Sequence, residues 1–183
     1  MRPQPIPEAL PFTRSYSVIP GRFLAGFYPG DRDPSVMRGK LEALLDCGVT
    51  HILNLMEPQE KDHAGRSFQA YDGEFRRLAE ERGVWALCKR FPIQDLETPS
   101  CEAMVRILDW IDAVLTTDAG LYIHCWGGRG RTCTVVGCWL ARHGEADPLK
   151  RLSRLTAHAH RHFGEIPETW QQQRFVQEWR TGR

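Results

Sequence analysis

Apolar positions along the chain come in blocks whose spacing switches between about two and about 3.6 residues. Tyr16 to Phe27 reads as two short strands around a Pro20-Gly21 turn. Asp33-Pro34 opens a helix, with Asp as cap, Pro in the first turn, an apolar face of Met37, Leu41, Leu44 and Leu45, and Gly48 as its stop. Thr50 to Met56 is an apolar run fit for a buried strand, and a charged amphipathic helix over 70–82 ends at Gly83. Val84 to Phe91 predicts the next strand and Pro92 to Pro99 a loop. Ser100 then caps a helix carrying Met104, Val105, Leu108, Ile111, Val114 and Leu115. Leu121 to His124 is a short strand that enters a glycine-rich turn and a helix over Thr132–Arg142. Two more helices fit Asp147–His162 and Glu168–Arg180.

Strands and helices therefore alternate through the middle of the chain. That order predicts an α/β fold with a mainly parallel central sheet flanked by helices. In such sheets ligands bind beyond the carboxyl ends of the strands. Residues 1–14 hold four of the twelve prolines and read as an extended arm, with residues 15–183 as a single domain.

Composition mainly narrows the partners. A net charge of +1 gives no basic excess for nucleic acid, and no stretch approaches a membrane span. The N-terminus lacks the continuous apolar core of a signal peptide, so a cytoplasmic monomer is expected. The six cysteines have no CxxC spacing and read as reduced thiols, most of them buried. The alternating His158, His160 and His162 read as solvated surface rather than a metal site, and no metal or other cofactor is expected.

Candidate chemistry concentrates in His124-Cys125-Trp126-Gly127-Gly128-Arg129-Gly130-Arg131-Thr132. Glycines let successive amide N–H groups turn into one concavity, and the following helix adds free N–H groups and its positive dipole end. Such a nest receives a phosphate dianion and also stabilises a thiolate. Arg131 can grip two phosphate oxygens with its planar fork, as lysine cannot.

His-Cys-x5-Arg-Thr at a strand–loop–helix junction resembles the signature of the cysteine-based protein tyrosine and dual-specificity phosphatases, in their compact atypical form. The resemblance implies Cys125 as nucleophile and Arg131 as binder of phosphate and transition state. It also implies that His124 fixes the loop and tunes the thiolate, and that Thr132 donates to the departing sulfur. Trp126, Gly127, Gly128, Arg129 and Gly130 would line the substrate site. Cys133 departs from the family's usual glycine; it is a packed small residue or a redox partner for Cys125.

Phe91-Pro92-Ile93-Gln94-Asp95-Leu96-Glu97-Thr98-Pro99 is similar to the acid loop of the same phosphatases. Asp95 is the matching general acid, with Glu97 as the alternative. Pro167 to Gln173 resembles a terminal segment in which a glutamine positions water or simply starts a helix. Glu57 either braces a loop arginine or is solvated. Arg129 either reads a second phosphate or pairs with a surface carboxylate, while Lys89 and Arg90 either add to that field or merely end a strand. Trp126 is a pocket wall or packs beneath the loop. Three functions follow: a phosphatase of phosphorylated proteins, one of inositol phosphates or phosphoinositides, and a non-catalytic phosphate-binding module. A thiosulfate sulfurtransferase fits the Arg131-Thr132 ending and the Asp95 loop less well.

Overall fold

The computed structural model describes residues 10–160 and 164–180. Its order is β1 (Ser15–Ile19), β2 (Phe23–Gly26), α1 (Pro34–Asp46), β3 (Val49–Asn54), α2 (Asp72–Glu81) and β4 (Leu87–Arg90). It continues with α3 (Cys101–Leu115), β5 (Gly120–His124), α4 (Arg131–Arg142), α5 (Pro148–Thr156) and α6 (Trp170–Glu178).

The expected α/β architecture is present. Five strands lie in the order β1-β2-β5-β3-β4, and only the β1–β2 pair is antiparallel. β5 is central, and all five of its residues are buried, which is why it reads as a continuous apolar run. Its last residue, His124, stands in register with Gly26 of β2 and Asn54 of β3. Cys125 therefore emerges where three parallel strands end together.

Helix boundaries follow the cap chemistry. Asp33 accepts from the amides of Ser35 and Val36, Ser100 from Ala103, Asp147 from Lys150, and Thr169 from Gln172. Gly48 and Gly83 have φ values of 78° and 68°, the left-handed conformation that ends a helix. α1 packs on α2, while α3, α5 and α6 pack around α4. α4 is buried from Arg131 to Ala141, far beyond one apolar stripe.

Three expectations need correction. The strand predicted over Val84–Phe91 is confined to Leu87–Arg90, and Trp85 before it is 70% exposed. The helix expected to reach His162 ends at Thr156, and His162 lies outside the described residues. His160 is buried rather than solvated; its ring lies 6.3 Å from that of Tyr16, and burial pushes its imidazole down to about 4. Of the expected arm, residues 1–9 lie outside the described residues, but Leu10 and Phe12 pack on the core, with the Phe12 ring 5.8 Å from Tyr122. Among the described residues no helix is long and apolar enough to cross a membrane.

Gly137 sets how closely α4 meets its neighbours. A Cβ there would lie 2.7 Å from Val176 and 2.9 Å from Leu152. Gly137→Val should therefore destabilise the fold by about 1–3 kcal/mol. In a thermal melt the Tm should fall by roughly 2–4 °C for each kcal/mol lost.

Candidate active site

The loop from Cys125 to Gly130 leaves β5 and enters α4. Two backbone bonds anchor its start: Leu55 N–H donates to the His124 carbonyl at 2.9 Å, and Tyr28 N–H donates to the Trp126 carbonyl at 3.1 Å. Gly128 has φ 72°, and a Cβ on it would lie 2.5 Å from the Gly26 backbone, so only glycine fits. Its N–H donates to the Cys125 sulfur at 3.3 Å. Cys125 itself is 3% exposed.

The loop is braced from behind by neutral groups. The Nδ1–H of His124 donates to the Cys125 carbonyl, so Nε2 is left to accept from the Tyr71 hydroxyl. Burial pushes this imidazole down to about 3, which keeps it uncharged. The Cys133 thiol donates to the Gly128 carbonyl at 3.4 Å and accepts from the Tyr16 hydroxyl at 3.3 Å. Burial pushes the Cys133 thiol up to about 12, so it stays protonated as a packed brace. Thr132 is fully buried, and its hydroxyl has no hydrogen-bond partner among the described residues, the Cys125 sulfur included.

Arg131 is 1% exposed and heavily tied. Its Nη1 and Nη2 donate to the two Glu60 carboxylate oxygens at 2.6 and 2.8 Å, and Nη1 also donates to the Ile93 carbonyl at 3.1 Å. Asp95 lies 2.8 Å from Nη2. Burial works against this charge, but the bonds to Glu60 and the charges of Cys125, Glu60 and Asp95 outweigh it. They hold the guanidinium above the ordinary arginine range. The buried Nε has no partner among the described residues and is the donor left for an anion.

Cys125, Trp126, Gly127, Arg129, Gly130, Arg131 and Asp95 line one pocket of about 380 Å³. His124 and Thr132 lie behind its wall, and Gly128 meets the site through its amide. Arg129 both lines the pocket and pairs with Glu168 at 3.2 Å. Trp126 is likewise both a wall and a packed ring, 4.5 Å from His63 and 5.3 Å from Phe68. Glu97, Lys89 and Arg90 do not line the pocket; Arg90 instead donates to the Met56 carbonyl at 2.7 Å.

Several partners escape a sequence reading. The brace for Arg131 is Glu60, whereas Glu57 is exposed. Arg14, counted with the arm, also lines the pocket. Its Nη2 donates to the Gly127 carbonyl at 3.1 Å, and its guanidinium lies 4.3 Å over the Phe27 ring. Burial first, then the nearby Arg129, lowers its pKa. Among the described residues, no group of three or more His, Cys, Asp or Glu is placed to hold a metal ion.

Comparison with known proteins bears on the fold and the family. The phosphatidylglycerophosphate phosphatase PTPMT1 of Arabidopsis thaliana is 27% identical over 105 residues, which cover 57% of this chain but only 28% of that protein. Tk-PTP in its active form superposes with a TM-score of 0.63 at 24% identity, covering 91% of this chain and 95% of the other. A structure of PTPMT1 in complex with PI(5)P gives 0.61 at 17% identity, with 91% and 94% covered. At these identities the two structures show a shared fold. Residues 31–145 match the family model described as "Polymorphic toxin system, DSP-PTPase phosphatase". Because that match spans well over half of the sequence and contains the Cys125 loop and the Asp95 turn, the chain belongs to this DSP-PTPase phosphatase family.

Proposed function

We propose that this chain is a cysteine-dependent phosphomonoester hydrolase of the tyrosine and dual-specificity type, acting on phosphorylated proteins. One observation carries the reading: the Cys125 sulfur, the Arg131 fork and the Asp95 carboxylate share a single pocket at the carboxyl end of a parallel sheet. A cytoplasmic setting is supported by six thiols with no disulfide among them.

The proposed reaction has two steps. The Cys125 thiolate attacks phosphorus in line, and the P–O bond to the leaving group breaks as Asp95 gives that oxygen its proton. The Arg131 Nε and the loop amides hold the equatorial oxygens as their charge builds. Asp95, now a carboxylate, takes a proton from water, which attacks phosphorus and expels the Cys125 sulfur. Thr132 is the proposed donor to that sulfur; its buried hydroxyl would have to turn toward Cys125 to act. Glu60 keeps the Arg131 fork oriented throughout, leaving Asp95 free to move to the leaving group.

A second reading, with an inositol phosphate or phosphoinositide as substrate, is favoured by one observation: Arg14 and Arg129 stand beside Cys125 in the same pocket. Two guanidiniums in addition to Arg131 suit a polyanion. The PTPMT1 structure with PI(5)P points the same way, whereas the name of the Arabidopsis relative points to a phospholipid without inositol, phosphatidylglycerophosphate.

Phosphate release should be measured for a phosphotyrosine peptide, a phosphothreonine peptide and an inositol polyphosphate. Cys125→Ser should fall to background on all of them while still binding ligand; turnover equal to the wild type would end the proposal. Asp95→Asn should slow phosphothreonine hydrolysis by roughly 10²–10⁴-fold. Glu60→Ala leaves a buried guanidinium without its main partner, and urea denaturation should show a loss of about 3–5 kcal/mol. Under the inositol reading, Arg14→Ala and Arg129→Ala should each lower kcat/KM for the inositol polyphosphate at least about tenfold more than for the phosphotyrosine peptide. Equal losses would leave the protein substrate alone.

A further inference from the structure

Gln172 is fully buried although it sits in the first turn of a helix whose neighbouring residue Gln171 is exposed. A buried amide needs partners for both its ends. Its Oε1 accepts from the Thr169 N–H at 3.2 Å, which completes the capping box of α6. Its Nε2 reaches away from the helix and donates to the Glu97 carbonyl, in the turn that carries Asp95, at 3.1 Å. The same amide is packed against the phosphate loop: a Cβ on Gly130 would lie 2.9 Å from Oε1 and 3.1 Å from Nε2. Thr169 adds a second tie, its hydroxyl donating to the Leu96 carbonyl at 3.3 Å.

What these ties hold is strained. Leu96 has φ 65°, a left-handed conformation that costs a leucine roughly 1–2 kcal/mol. The turn is closed by a Glu97 N–H to Gln94 carbonyl bond at 3.1 Å, with Asp95 and Leu96 at its centre. Relaxing Leu96 to negative φ would rotate the peptide that follows Asp95 and swing its carboxylate off Arg131, now 2.8 Å away. The two carbonyls fixed by Thr169 and Gln172 are those of Leu96 and Glu97, directly after the acid.

We infer that Gln172, with Thr169, is a positioning residue for the general acid, clamping the Gln94–Glu97 turn so that the Asp95 carboxylate faces the Cys125 pocket. Gln172 does not line that pocket, so it acts through Asp95 rather than on the substrate or on water. The inference rests on the proposed role of Asp95, and it connects the start of α6 to proton transfer through backbone carbonyls alone.

A loss confined to proton donation has a signature that a general structural loss lacks. It grows as the leaving group becomes poorer, and it vanishes once the acid is gone. Turnover of phenyl phosphate and 4-nitrophenyl phosphate should be compared in wild type, Gln172→Met, Asp95→Asn and the double variant. Gln172→Met keeps the side-chain length and removes both hydrogen bonds. It should slow phenyl phosphate by about tenfold and 4-nitrophenyl phosphate by about threefold or less. In the Asp95→Asn background it should add no more than about twofold. Equal losses on both esters, or losses that multiply in full with Asp95→Asn, would overturn the inference. If Gln172→Met does not fold, as judged by circular dichroism, Thr169→Val is read against the same two criteria. Wild type and Cys125→Ser releasing phosphate at one background rate would end the phosphatase reading and this inference with it.

Discussion

A guanidinium cannot be sealed in a protein interior without a counter-charge, and Arg131 at 1% exposure is the constraint around which the site is arranged. Removing such a charge from water costs several kcal/mol, which only close and well-oriented partners offset. Glu60 meets it with two parallel hydrogen bonds, the Ile93 carbonyl adds a third contact, and Asp95 reaches Nη2. These partners belong to the segment after β3 and the turn after β4, while Arg131 opens α4. One buried charge thereby joins three separate segments at the mouth of the sheet.

The support behind the loop is polar yet carries no charge. His124 is held neutral by burial and bonds forward to the Cys125 carbonyl and back to Tyr71. Cys133 is held as a thiol and connects Gly128 to Tyr16. A Cys133 thiolate would oppose the positive field that the loop amides and arginines direct at Cys125. Neutral hydrogen bonds give the rigidity without that interference. Cys133 fits in its buried position because Tyr16 and the Gly128 carbonyl satisfy its sulfur.

Strain collects at the pocket mouth. Arg14 and Leu96, both with φ near 65°, are the non-glycine residues of positive φ among those described, and both line the pocket. Each conformation is held by bonds from elsewhere: the Arg14 side chain to the Gly127 carbonyl, and the Leu96 carbonyl to Thr169. Such strain persists only where surrounding contacts over-determine it.

The local parts of this protein were legible in its sequence, because local physics sets them. Caps at Asp33 and Ser100, the glycine stops at 48 and 83, the buried run of β5 and the five-residue spacing from Cys125 to Arg131 each depend on residues close by in the chain. Asp95 was picked out by the resemblance of its contiguous segment to an acid loop, and it lines the pocket with Cys125. The β4 boundary was not legible, since Val84 and Trp85 have strand-like side chains but lie outside the ladder that β3 offers. Nor could a sequence reading choose Glu60 over Glu57, bring Arg14 from a proline-rich segment to the pocket, or bury His160. The tertiary structure decided these. Pairing across 71 residues for Glu60–Arg131, or 113 for Arg14–Gly127, depends on where whole elements pack, and no local pattern of residues records that.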